Sequence, residues 1–142
     1  MADPYRLERF VLAQDRAGTY DRAVTELRAG RKQSHWMWFV FPQIAGLGSS
    51  PMAREFAIGS LAEARAYLAH PVLGPRLAEC ALILTAAAEG TSASQLLGPV
   101  DAMKLRSSMT LFAAAAPEDQ VFTNVLAGYF DGQPDQATLE RL

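Results

Sequence analysis

Ser34-His35-Trp36-Met37-Trp38-Phe39-Val40-Phe41-Pro42-Gln43 is the stretch on which the fold class turns. Trp38 to Phe41 is the most strand-like run of the chain, and periodicity alone does not separate a buried strand from a buried helix over so few residues. Two neighbouring facts favour helix. Ser34 is placed to cap an element running from His35 to Phe41, which Pro42 then stops. No second strand-like run is available to pair with it, so a strand here would leave its backbone groups without partners. A helix apolar on every side, as Trp36 to Phe41 would be, belongs in a core.

Outward from this stretch, both arms read as short helices with tight connections. Towards the amino end, Asp3-Pro4 has the form of an N-cap followed by proline at the first helical position, predicting a helix to about Arg16 with Leu7, Phe10, Val11 and Gln14 on one side. Tyr20, Ala23, Val24 and Leu27 form a second stripe closed by Gly30. Towards the carboxyl end, Ser50-Pro51 opens a helix to about Ala57, and Ser60-Leu61-Ala62-Glu63 has the form of a capping box. Helices are further expected from about Arg76 to Glu89, around Gln95, from Pro99 to about Ala116, over Val121 to Tyr129, and after Asp135. The fold class is therefore all-α: residues 1–142 as one compact single-domain bundle of about seven or eight short helices.

Composition narrows the function classes. Half of the 142 residues are hydrophobic, enough for a core without metal or disulfide support. A formal net charge of -2 with interspersed signs gives no basic excess for nucleic acid. No run approaches the roughly 18 apolar residues of a membrane span, and Met1-Ala2-Asp3-Pro4-Tyr5-Arg6 has no apolar stretch of signal-peptide type. With Cys80 as the lone cysteine, no intrachain disulfide is available, and a cytoplasmic location is the expectation. The two histidines are far apart and fit no metal-ligand spacing, so neither a metal nor a cofactor is expected. Gly46-Leu47-Gly48-Ser49-Ser50-Pro51 lacks the ending of a phosphate-binding loop and reads as a turn plus helix cap.

Two polar clusters have the chemistry of a site. Arg31, Lys32 and His35 gather where one helix ends and another begins, an arrangement suited to phosphate or carboxylate. Asp101, Lys104 and Ser108, at i, i+3 and i+7 with Ser107 alongside, share one helix face near its amino end. Trp36 or Trp38 offers a flat wall on which a ligand stacks, and Gln43 an amide donor and acceptor at the pocket edge.

Gly30-Arg31-Lys32, the block from Ser34 to Gln43, Gly46-Leu47-Gly48, His70-Pro71, Leu73-Gly74, and Asp101 with Lys104 and Ser107 to Phe112 resemble the DUF1810 family over nearly the whole chain. The resemblance implies a compact all-helical fold and no assigned activity. Members are sometimes labelled calpastatin-like, but calpastatin acts as a disordered polar chain, whereas this sequence is patterned to fold. With the resemblance, both clusters are expected to converge on one pocket for a small anionic or nucleotide-like ligand, with hydrolysis of that ligand as the enzymatic reading. Arg31 and Lys32 would hold the anion, and His35 or Asp101 would handle protons. Lys104, Ser107 and Ser108 would line the pocket. The competing expectation is a non-catalytic protein-interaction module whose glycine-rich loop and apolar patches meet a partner.

Overall fold

A computed structural model describes residues 3–142; Met1 and Ala2, and with them the start of the amino-terminal hexapeptide, lie outside the described residues. The order is α1 (Glu8–Asp15), a 3-10 turn (Arg16–Gly18), α2 (Thr19–Ala29), α3 (Met37–Val40), α4 (Pro51–Glu55), α5 (Leu61–Ala69), α6 (Leu73–Ala87), α7 (Ala93–Leu97), α8 (Pro99–Ala115), α9 (Val121–Phe130) and α10 (Gln136–Leu139). Ten helical segments result because several are single turns. The longer ones form the bundle, with α8 packed against α5, α7, α9 and α10, and α6 against α2, α5 and α9. Among the described residues no helix is long and apolar enough to cross a membrane.

One apolar core runs through the molecule. Its spine is a chain of aromatic rings: Phe39–Phe56 at 5.2 Å, Phe56–Phe10 at 5.7 Å, Phe10–Tyr67 at 5.1 Å, Tyr67–Phe112 at 5.3 Å and Phe112–Phe122 at 5.8 Å between centroids. Tilted and edge-on contacts of this kind are the favoured aromatic geometries. Gly74 shows how closely the helices approach: a Cβ there would sit 2.1 Å from the Leu68 carbonyl oxygen, so α6 can begin against the end of α5 only with glycine at that place.

The local signals act through named bonds. Ser50, Ser60 and Asp135 each accept from the amide three residues on and start α4, α5 and α10. Gly30 closes α2 in the left-handed region at φ 77°. Several expectations are corrected. The first helix begins at Glu8, not Pro4, because the chain turns at Arg6 (φ 52°); the Asp3 carboxylate still caps, accepting from the amides of Leu7 at 2.8 Å and Glu8 at 3.1 Å. Glu63 reaches back to the Gly59 amide and to Arg9 rather than to Ser60, so the capping box is half made. The closed box is Ser92 with Gln95, at the start of α7. Helix α6 begins earlier than expected, at Leu73, because His70 Nδ1 accepts from the amides of Val72 and Leu73, and Pro75 is tolerated in a first turn.

The central stretch is helical, as expected, but only over Met37–Val40. Ser34 does not cap it, since its hydroxyl is taken by Glu26. Beyond Pro42, an isolated parallel bridge joins Ile44 to Ile58, with Ile58 N donating to the Gln43 carbonyl at 2.9 Å and Ala45 N to the Ile58 carbonyl at 2.8 Å. This bridge fixes the backbone on which Gln43 stands.

Candidate functional site

The basic loop after α2 is organised by a residue that the sequence reading left out. Glu26, on the edge of the α2 stripe, is 8% exposed. Its carboxylate accepts from Gln33 N at 2.7 Å, Ser34 N at 2.9 Å, Ser34 Oγ at 2.6 Å and Trp36 Nε1 at 2.9 Å. Burial alone would raise its pKa, but these four donors outweigh it and hold the carboxyl down at about 2. The loop is therefore wound around a buried anion. Lys32 N, donating to the Leu96 carbonyl at 2.8 Å, ties the same loop to the end of α7.

That winding separates the expected site residues. Trp36 is driven wholly into the core at 0% exposure, so its ring is not a surface on which a ligand stacks. Arg31 and His35 remain exposed. Lys32 turns inward, with Nζ 2.9 Å from Asp101 Oδ2 and 5.1 Å from the centre of the Trp36 ring. Helix α8 presents Lys104 one turn after Asp101, and its Nζ lies 3.5 Å from Asp101 Oδ1 and 4.8 Å from the centre of the Trp38 ring. Asp101 thus sits between two ammonium groups, each facing a tryptophan ring. The two are held unequally: the Lys32 side chain is 9% exposed on the short contact, the Lys104 side chain 23% exposed on the long one.

Lys104 opens onto a cavity of about 460 Å³ between α3, the loop before α4, and α8. Trp38, Gln43, Lys104 and Ser107 line it, facing the Leu47–Ser50 loop. Val100 and Met103, 67% and 71% exposed, form an apolar lip. Asp135 closes the far side, and its Oδ2 already accepts from Thr138 N at 3.0 Å, Thr138 Oγ1 at 2.6 Å and Ser107 Oγ at 3.2 Å. Ser107 Oγ also lies 3.1 Å from the Met103 carbonyl, so its single proton is committed to structural acceptors and only its lone pairs face a ligand. Ser108, one position on, is fully buried and its Oγ has no hydrogen-bond partner.

The two clusters do not share one cavity. Trp38, Gln43, Lys104 and Ser107 meet at the first. His35 lines a second, of about 430 Å³, against α1 and α4. The reason is the path of the loop around Glu26: Lys32 turns to Asp101 on α8, whereas His35 lies against α1 and α4. His35 and Asp101, the two alternatives for handling protons, consequently do not stand at one cavity. Among the described residues no group of three or more His, Cys, Asp or Glu gathers as metal ligands. Cys80 is buried, and loss of solvation pushes its thiol up to about 12, far from a nucleophile's range.

The family described as "Protein of unknown function (DUF1810)" matches residues 4–142. No curated protein matches the chain. The fold is similar to that of the conserved hypothetical protein Rv1873 from Mycobacterium tuberculosis, at 53% identity over 99% of this chain and 98% of that one, with a TM-score of 0.94.

Proposed function

The chain belongs to the DUF1810 family, and from that premise we propose that it is a cytoplasmic protein that binds a small, flat, polar ligand in the cavity walled by Trp38, Gln43 and Lys104. The observation that carries this reading is the unequal hold on Lys104. Its 3.5 Å contact to Asp101 is the longer arm of a triad whose shorter arm, at 2.9 Å, already neutralises Asp101. An ammonium group in this setting can turn to a ligand without leaving a carboxylate unpaired. Gln43 adds a paired amide donor and acceptor of the kind that reads a nucleobase edge or a carboxamide, and Trp38 adds aromatic contact.

The charge balance narrows the ligand further. Lys32 and Lys104 are offset by Asp101 and Asp135, so the site carries no net charge and favours a strongly polarised carbonyl or amide, with at most a single negative charge where Lys104 turns to meet it. A di- or triphosphate would meet Asp135 as well as Lys104. The cavity volume is in the range of small-molecule sites, about 300–1,000 Å³. A calorimetric panel of nucleosides, nucleoside monophosphates and sugar phosphates tests the reading. A binder is expected whose affinity falls about tenfold in Lys104→Ala and in Gln43→Ala. A panel with no binder, or a binder indifferent to both substitutions, would sink it. The exposed Val100 and Met103 favour a second reading, in which the same lip receives a partner protein. That reading expects Val100→Lys to abolish a pull-down partner with the small-molecule panel silent.

A further inference from the structure

The second cavity differs from the first in charge and in floor. It lies where α1 turns into α2, against α4, with a volume of about 430 Å³. Its floor is the end of the aromatic spine, where Phe39 and Phe56 are 6% and 9% exposed, flanked by Leu12 and Met52. Leu12 is 60% and Met52 37% exposed, so apolar surface here continues out to solvent. Its rim carries Arg16, Arg22 and His35.

The pairing of the arginines separates this cavity from an ordinary basic surface. Arg9, which also lines the cavity, is consumed, donating to the carbonyls of Tyr5, Arg6, Glu55 and Ala57 and meeting Glu63 at 3.2 Å; nearby, Arg76 meets Asp15 at 2.8 Å, and Arg6 lies 4.0 Å from Glu55 with both side chains exposed. Arg16 and Arg22 have no carboxylate partner among the described residues; Arg22 makes only a 3.3 Å bond to the Ala17 carbonyl. The one acid lining the cavity, Glu55, is the one Arg6 faces. The backbone that brings the two arginines onto one cavity is itself strained. Ala17 and Gly18 are consecutive left-handed residues at φ 53° and φ 70°, a region that alanine, unlike glycine, rarely adopts.

We infer that this cavity binds a soluble organic anion with a flat apolar body and one acidic head, an aryl phosphate or aryl carboxylate in chemical class. The body lies on Phe39 and Phe56 between Leu12 and Met52, and the head is held by the guanidinium groups of Arg16 and Arg22. Site and ligand are independent of the cavity beside Lys104.

The test is calorimetry with 1-naphthyl phosphate, 1-naphthol and inorganic phosphate as probes. Naphthyl phosphate is expected to bind at least about tenfold more tightly than either fragment. Arg16→Ala with Arg22→Ala, both at exposed positions, should bring naphthyl phosphate down to the level of naphthol and leave naphthol unchanged. Leu12→Asp should weaken both. Lys104→Ala should change nothing. Binding lost in Lys104→Ala would place the probe in the other cavity and overturn the assignment. Naphthyl phosphate no tighter than inorganic phosphate, or indifference to the double arginine variant with the fold intact by circular dichroism, would do the same. Capture by phosphatidate vesicles without binding of soluble naphthyl phosphate would move the chemistry to a membrane surface and would equally overturn it.

Discussion

Glu26 and Asp101 are two carboxylates serving the same loop by different means. Glu26 takes four donors, all uncharged, at 2.6–2.9 Å, and holds Ser34 and Trp36 in one arrangement. Asp101 takes two ammonium groups at 2.9 and 3.5 Å, and one of them lines a cavity. The contrast teaches where to look for function. A carboxylate saturated by backbone and indole donors is a fastener, since none of its partners is free to leave. A carboxylate between two cations held unequally is an adjustable contact, since the looser cation, Lys104, can turn to a ligand while Lys32 keeps Asp101 paired.

The largest effect is expected at the fastener. Glu26→Ala leaves two amides, a hydroxyl and an indole N–H without their acceptor in a buried place, and should cost about 4 kcal/mol in urea unfolding. Glu26→Gln keeps an oxygen for the three N–H donors and should cost less, roughly 2–3 kcal/mol at neutral pH. If both variants unfold with the wild-type midpoint, Glu26 does not organise the loop. The distinction between the two carboxylates would then collapse.

Acid sharpens the same point. A carboxyl held at about 2 when folded and titrating at 4.5 when unfolded contributes stability that is fully present above 4.5 and is lost as pH falls towards 2. The fall from 4.5 to about 2 corresponds to roughly 3 kcal/mol. The stability gap between wild type and Glu26→Gln should therefore narrow by about that amount from pH 6 to pH 2. A gap that stays constant over that window would mean that the charge of Glu26 is not what its donors stabilise.

Asp101→Asn comes next. It leaves Lys32, whose side chain is only 9% exposed, with the Trp36 ring but no carboxylate, and a cost of about 1–3 kcal/mol is expected. Adding Lys32→Met should recover much of that loss in a double-mutant cycle, because an uncharged chain of similar length needs no counter-ion. Recovery with Lys104→Met instead would reverse the assignment of the tightly held arm.

Helix identity was largely legible before the structure, because caps and stops are local. Ser50-Pro51, Ser60, Gly30, Pro99 and Asp135 act where their side chains or backbone stand. The site was legible only in part. Trp38, Gln43, Lys104 and Ser107 meet as a pocket reading requires, but Trp36 and His35 diverge because a buried glutamate seven to ten residues upstream steers the loop between them. A signal existed: Glu26 sits beside Ala23 and Leu27 on the buried edge of its helix, just ahead of a basic loop, where an exposed salt bridge would be the ordinary assignment. The arginine-rimmed cavity gave no signal at all. Arg16, Arg22 and Met52 come together only through the left-handed turn at Ala17 and Gly18 and the packing of α4 against α1.

Lys104→Ala carries the smallest structural effect and separates the two kinds of carboxylate most directly. The Lys104 side chain is partly solvated and its contact to Asp101 is long, so its loss should change stability by no more than about 0.5 kcal/mol. Asp101 keeps its 2.9 Å partner Lys32, and no buried charge is stranded. The cation facing the Trp38 ring disappears, however, and with it the positive charge on the wall of the cavity. Unchanged stability with reduced ligand affinity is the signature of a residue held for binding. A loss of stability comparable to that of Asp101→Asn would make the triad a second fastener, equivalent to Glu26, and would remove the physical reason for placing a ligand beside it.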